Sequence, residues 1–212
     1  MYKKIILAFA IGSMAISVAI ASPASSAFFY SGELSYNRIQ DSSISSGSNA
    51  ASFKTSSGLG VGAYIGYDYA LNSNITIGAK TGYNYTFGLA QFKLTNAQNV
   101  TLDSSNIPLL LNSKYFFDSG YFVGVEGGVN WQVLHENIGR SSSDGDWNAE
   151  PILGILGGYK WDTGFSVSGA VDYIFGKNID IASASPQTIS KDDALSNIKV
   201  GIQVSYSLPP WL

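Results

Sequence analysis

The chain has no cysteine, a single histidine, six prolines and only 27 charged residues (12 Lys and Arg plus 15 Asp and Glu) among 212. Without cysteine there can be no disulfide framework, thiolate chemistry or cysteine-ligated metal. The charged share, 13%, is about half the roughly 25% usual in soluble domains. A net charge of −3 with 13% aromatic residues does not fit charge-driven disorder. An isoelectric point near 5.0 gives no basic field for nucleic-acid phosphates, so no nucleic-acid partner is expected. Beyond the N-terminal region there is no apolar run of about 18 residues, which excludes a later transmembrane helix. Mean hydropathy is nevertheless slightly positive, at +0.11. What fills the gap is 23 glycines, many aromatics, and polarity from Ser, Asn and Thr rather than from charge.

Lys3 and Lys4 precede an apolar stretch from Ile5 to about Ala21, with Ala19-Ile20-Ala21 and Ser25-Ser26-Ala27 as small-residue cleavage patterns. This is the layout of a secretory signal peptide. A membrane anchor is disfavoured because Gly12, Ser13 and Ser17 interrupt the run and Pro23 ends it. The expected division is a signal peptide over 1–27, with a cut after 21 as the alternative, and one domain over 28–212.

After Phe28 the pattern has period two. From Tyr121, one parity reads Tyr121, Val123, Val125, Gly127, Val129, Trp131 and Val133, while the other reads Phe122, Gly124, Glu126, Gly128, Asn130 and Gln132. Such alternation is a strand with one apolar and one polar face. Eight such segments are expected, at about 28–39, 57–71, 75–88, 105–117, 121–134, 149–161, 165–177 and 196–208. Three connections are short and rich in turn residues: Asn72-Ser73-Asn74, Asp118-Ser119-Gly120 and Asp162-Thr163-Gly164. The four others, about 40–56, 89–104, 135–148 and 178–195, are long and polar. Short and long alternate strictly, so antiparallel neighbours gather all short turns at one end. The fold class expected is all-β, an eight-stranded antiparallel up-and-down transmembrane β-barrel.

A soluble eight-stranded barrel also alternates; the charges choose between them. Each segment carries one charge well inside its span on its small-residue parity: Glu33, Asp68, Lys80, Lys114, Glu126, Lys160, Asp172 and Lys199. Four acids and four bases sum to zero, as mutual pairing in a narrow interior requires. The other parity is apolar and suits lipid. Its aromatics fall into two belts. Tyr67, Tyr69, Tyr115, Phe117, Tyr121, Tyr159, Trp161, Phe165 and Tyr206 lie near the short-turn end, and Tyr85, Phe87, Trp131, Tyr173 and Phe175 toward the long connections.

The layout resembles the OmpA, OmpX and opacity-protein type of small outer-membrane barrel. Ser105-Asn106-Ile107-Pro108-Leu109-Leu110-Leu111 followed by Lys114-Tyr115-Phe116 looks like that family's fourth strand, and Glu150-Pro151-Ile152-Leu153-Gly154 with Gly157-Gly158-Tyr159 is similar to its sixth. The resemblance implies a Gram-negative outer membrane, turns in the periplasm, loops at the cell surface, and contact with membrane lipid and the insertion machinery. In that family the last strand usually closes on Phe. Here Pro209-Pro210-Trp211-Leu212 follows it, so recognition would rest on Tyr206 or Trp211. No peptidoglycan-binding domain is expected after the eighth strand.

Three motifs suggest other chemistry. Gly58-Leu59-Gly60-Val61-Gly62-Ala63 matches a dinucleotide fingerprint, but that fingerprint needs a following helix, and alternation continues instead. His135, with Glu136 and Ser141 to Ser143 nearby, suggests a hydrolase; its place where a strand gives way to a loop favours a solvated histidine. Asp144-Gly145-Asp146 lacks the further oxygens of a calcium loop and reads as a turn. No cofactor, metal or catalytic residue is therefore expected. The leading function is a monomeric structural barrel whose loops mediate adhesion or contact with host surface molecules. The alternatives are a narrow ion channel gated by the lumen charges and, behind it, a lipid-modifying enzyme.

Overall fold

The computed structural model describes residues 24–39, 52–55, 57–93, 99–138, 141–176 and 196–208. The signal-peptide expectation for residues 1–23, most of the connections 40–56 and 178–195, and Trp211 lie outside them. Ten strands follow in chain order: β1 (Ala27–Ile39), β2 (Ser52–Thr55), β3 (Ser57–Ala70), β4 (Ile75–Lys93), β5 (Asn99–Phe116), β6 (Tyr121–Ile138), β7 (Ser141–Asp144), β8 (Asn148–Lys160), β9 (Phe165–Ile174) and β10 (Asn197–Ser207). The eight long ones pair antiparallel in the ring β1-β3-β4-β5-β6-β8-β9-β10, and β10 closes on β1. The short β2 and β7 attach to β4 and β6. The molecule is a closed, eight-stranded, up-and-down barrel.

The three short turns behave as their residues require. Gly120 and Gly164 adopt φ of +86° and +88°, and each donates its N–H to the residue three back, Phe117 and Trp161 (3.0 Å in both). In the third turn, Asn72 Oδ1 accepts from the backbone of Asn74 and Ile75 at 2.8 and 2.9 Å, a side chain standing in for a backbone acceptor.

Alternation becomes inside and outside. Leu111 is 68% exposed on the outer wall while its neighbour Asn112 is 6% exposed in the lumen. Leu34, Leu59, Ile65, Leu153, Ile155 and Ile202 also face out, with no hydrophobic layer over them. An apolar outer wall of this extent is stable only against lipid.

Two expected loops are corrected. Much of 89–104 and 135–148 is strand, because β4 runs on to Lys93, β5 starts at Asn99, β6 reaches Ile138 and β7 pairs back onto it. Here the hydrophobic phase reverses. Leu89, Ala90, Val100, Leu102 and Leu134 are buried inside, and Asp103 lies on the outward parity. Apolar-in and polar-out is the pattern of a sheet in water, so this end of the wall is built to stand clear of the membrane. The β4–β5 register shifts between Thr86 and Ala90, where Gly88 takes φ +61°. The resulting bulge lets the strand continue with its new phase.

Candidate functional site

The lumen is filled by side chains from every long strand, and glycines opposite them make the room. A Cβ on Gly154 would collide with Asp172 Oδ1, and one on Gly82 would meet the Tyr64 ring at 2.6 Å. Lys199 lies between two acids, 3.1 Å from Glu33 Oε1 and 3.0 Å from Asp172 Oδ2. Lys80 Nζ is 2.8 Å from Glu126 Oε2, and Lys114 Nζ is 2.6 Å from Asp68 Oδ2. Lys160 differs: its Nζ donates to Ser25 Oγ at 3.0 Å and lies over the Phe116 ring, 5.7 Å from its centroid. Seven of the eight charges therefore join in three clusters, and Lys160 stands with a hydroxyl and a ring instead.

Tyr64 belongs to the central cluster and was not singled out from the sequence. It lies on the inward parity of β3, its hydroxyl donates to Glu33 Oε1 at 3.0 Å, and Lys199 donates to that hydroxyl at 3.3 Å. Gln203 Nε2 donates to Glu33 Oε2 at 2.6 Å, and Asn84 Nδ2 to Glu33 Oε1 at 3.2 Å. Glu33 thus receives four donors, the number a buried carboxylate can use. Toward the long-connection end amides join the lumen, with Asn130 and Gln132 both donating to Asn106 Oδ1 (3.0 and 3.1 Å), and Glu136 and Glu150 are buried there too. Toward the short-turn end, Asp68, Lys80, Asn112, Lys114, Glu126 and Lys160 help line a cavity of about 40 Å³. That is room for roughly three waters.

The outer aromatics touch in chains. At the short-turn end Tyr121 meets Tyr159 at 5.0 Å between ring centres, Tyr159 meets Trp161 at 4.9 Å, Phe165 meets Tyr206 at 4.8 Å, and Tyr115 meets Phe117 at 5.1 Å. Tyr67 packs on Phe28 at 4.7 Å, and Tyr69 is exposed on the outward parity beyond it. At the other end Tyr85 meets Phe87 at 4.7 Å and Tyr173 meets Phe175 at 4.6 Å. Trp131 is exposed at the same end of the wall.

The solvated-histidine expectation needs correction. His135 is inside β6 with its side chain 23% exposed. Its Nε2 is 2.8 Å from Ser105 Oγ and its Nδ1 2.8 Å from Asp144 Oδ1. Of the residues near it in sequence, Glu136 points to the opposite, buried side of the strand. The Gly58 to Ala63 motif lies within β3 and no helix follows it. Gly145 N donates to Leu134 O at 2.9 Å, which makes Asp144-Gly145-Asp146 the end of a hairpin. Among the described residues, no group of three His, Cys, Asp or Glu is placed to hold a metal.

No family model and no curated protein matches the sequence. The fold has clear counterparts among solved structures. It is similar to Ail, the attachment invasion locus protein of Yersinia pestis, with 10% identity and a TM-score of 0.53 over 87% of this chain and 99% of that one. It is also similar to Neisserial surface protein A, with 14% identity and a TM-score of 0.51 over 85% and 97%. Ail has also been solved in complex with the heparin analogue sucrose octasulfate. At such identities the likeness is one of fold: a small, closed, antiparallel β-barrel.

Proposed function

We propose that the protein is an outer-membrane barrel whose loop-side wall presents polar segments at the cell surface for contact with other cells or host molecules. The carrying observation is the phase reversal at that end. An extended wall with Leu89, Val100, Leu102 and Leu134 inside and polar residues outside is suited to water, and it raises the long connections above the lipid. Nothing in that role needs chemistry. The turns at the other end then face the periplasm, and the insertion machinery would read the final strand through Tyr206 or Trp211.

Sulfated polysaccharide, the ligand type of the Ail complex, is not carried over. Removal of Lys3 and Lys4 with the signal peptide changes the net charge from −3 to −5, which repels polyanions. A cut after Ala21 suits the packing better than one after Ala27. Ala24 is buried against Phe116 and Phe122, Ser25 accepts from Lys160, and Ser26 Oγ accepts from Ala70 N at 2.9 Å.

The test is an epitope tag inserted between Ser45 and Ser46, read by antibody on intact cells, together with adherence of those cells to a host-cell layer. Staining without lysis and adherence above that of cells lacking the protein are expected. A tag reached only after lysis would overturn the orientation, and unchanged adherence would overturn the contact role.

A further inference from the structure

We propose that Ser105, His135 and Asp144 form an acyl-ester hydrolase site on the outer wall at the membrane interface, where the wall leaves the lipid, acting on ester-linked acyl chains of outer-leaflet lipids. This activity goes beyond the surface-contact role and does not depend on it.

The register assembles the three residues. β5 and β6 pair Asp103 with His135 and Ser105 with Val133, so Ser105 and His135 share the outward face as diagonal neighbours. β6 and β7 pair His135 with Asp144 directly. For the neutral imidazole that a general base requires, the direction of each hydrogen bond follows from the carboxylate, which only accepts when ionised. Nδ1 of His135 therefore carries the proton given to Asp144, Nε2 is left as a lone pair, and Ser105 must donate to it (2.8 Å). Tyr83, whose hydroxyl is 2.8 Å from Ser105 Oγ, then donates to that oxygen. The chain Tyr83 to Ser105 to His135 to Asp144 is a hydroxyl held against a base whose tautomer is fixed by an acid.

Around it the wall is braced. Asp103 accepts from Tyr85 Oη at 3.1 Å, from Asn137 Nδ2 at 3.1 Å and from Gly88 N at 2.6 Å. The Tyr85 ring, so anchored, stacks on His135 with centroids 5.9 Å apart and planes at 24°. The bulge at Gly88 thus supplies one of the donors that hold Asp103, and Asp103 in turn holds the plate under the imidazole.

The substrate class follows from where this chain of groups sits. Ser105 lies opposite Tyr85 in the register, at the height of the loop-side aromatic belt, where headgroups and ester carbonyls of a bilayer lie. On the membrane side of it the outer wall is Tyr83, Ile107 and Trp131, exposed by 48%, 38% and 37%. An acyl chain lying on that surface brings its ester to Ser105. Ser105 itself is only 4% exposed, so the Tyr83 phenol must swing aside as the ester enters.

In the first step Ser105 Oγ bonds to the ester carbonyl carbon and its proton passes to His135 Nε2. The freed Tyr83 hydroxyl can turn to the carbonyl oxygen, where negative charge develops. The C–O bond to the lipid alcohol breaks and that oxygen takes the proton from Nε2. Interfacial water then attacks the acyl-serine, giving its proton to Nε2, and the acid leaves as Ser105 recovers its hydrogen. Ester and water become alcohol and fatty acid. Ser105 and His135 are the catalytic residues, and Asp144 and Tyr85 are positioning residues.

The test uses the full barrel in detergent micelles with an alkyl fluorophosphonate, followed by peptide mass spectrometry. An adduct on Ser105 is expected in the wild type, with its rate lowered roughly 10²-fold or more in His135→Asn. Fatty-acid release is then measured from phosphatidylethanolamine vesicles and, separately, from lipopolysaccharide; the arm that reacts identifies the lipid. Ser105→Ala should abolish release while keeping heat-modifiable migration, and Asp144→Asn should lower kcat with KM unchanged. A wild-type barrel that takes no probe and frees no fatty acid in either arm overturns the proposal, as does undiminished release by Ser105→Ala.

Discussion

Tyr64 on β3 reaches its diagonal neighbour Glu33 on β1, donating its hydroxyl to Oε1 at 3.0 Å while Lys199 of β10 donates to that same hydroxyl at 3.3 Å. Its buried ring, with Lys80 Nζ at 5.4 Å and Lys199 Nζ at 5.6 Å from its centroid, fills the middle of the barrel. The wild-type protein should be electrically silent in a planar bilayer, and Tyr64→Ala should give measurable conductance by removing the plug. A wild-type barrel conducting as strongly as Tyr64→Ala would contradict this closure.

Lys199 serves two buried acids, so its loss should outweigh that of any other lumen base. Lys199→Met leaves Glu33 and Asp172 without their cation, at a cost of about 3–5 kcal/mol. The urea midpoint for loss of the compact, heat-modifiable band should fall, and adding Asp172→Asn should recover part of it. An unchanged midpoint in Lys199→Met would show that the pair contributes nothing.

Glycine matters here by face. Gly154→Ala drives a methyl into Asp172 Oδ1 and to 3.0 Å from Val171 O, whereas a methyl on Gly32 meets nothing within 4 Å. Gly154→Ala should destabilise by about 1–3 kcal/mol and Gly32→Ala should leave the unfolding midpoint in place. Equal midpoints for the two variants would refute the packing of the lumen.

Intact mass of the outer-membrane form locates the signal-peptide cut. A chain beginning at Ser22 keeps the contacts of Ala24, Ser25 and Ser26 with Phe116, Lys160 and Ala70. A chain beginning at Phe28 would contradict that packing, which would then have no residues to form it.

The barrel was legible in the sequence because lipid outside and a narrow lumen inside impose a strict two-residue rule, as at Leu111 and Asn112. The strand extensions were not, because the rule changes sign where the wall leaves the lipid. Ile107, Leu109 and Leu111 are apolar on odd numbers, then Val100 and Leu102 on even ones, and a pattern read in one phase ends at the switch. The eight lumen charges could be found by parity, but their partners could not. Pairing depends on register and strand stagger, and so Lys199 meets two acids while Lys160 meets Ser25. Tyr64 went unnoticed because a tyrosine among inward glycines looks like a break in the small-residue pattern. Ser105 and His135 are 30 residues apart, and only the antiparallel register makes them neighbours. Their shared odd parity on adjoining strands was the available signal.

The absence of cysteine makes the central claim, that the apolar parity meets lipid and the charged parity the lumen, directly measurable. Leu111→Cys and Asn112→Cys each carry a unique thiol on opposite faces of β5 and can be labelled with bimane after refolding into vesicles with doxyl-labelled lipid. Strong quenching at 111 and weak quenching at 112 is the result this account predicts. Equal quenching at both, or stronger quenching at 112, would contradict it.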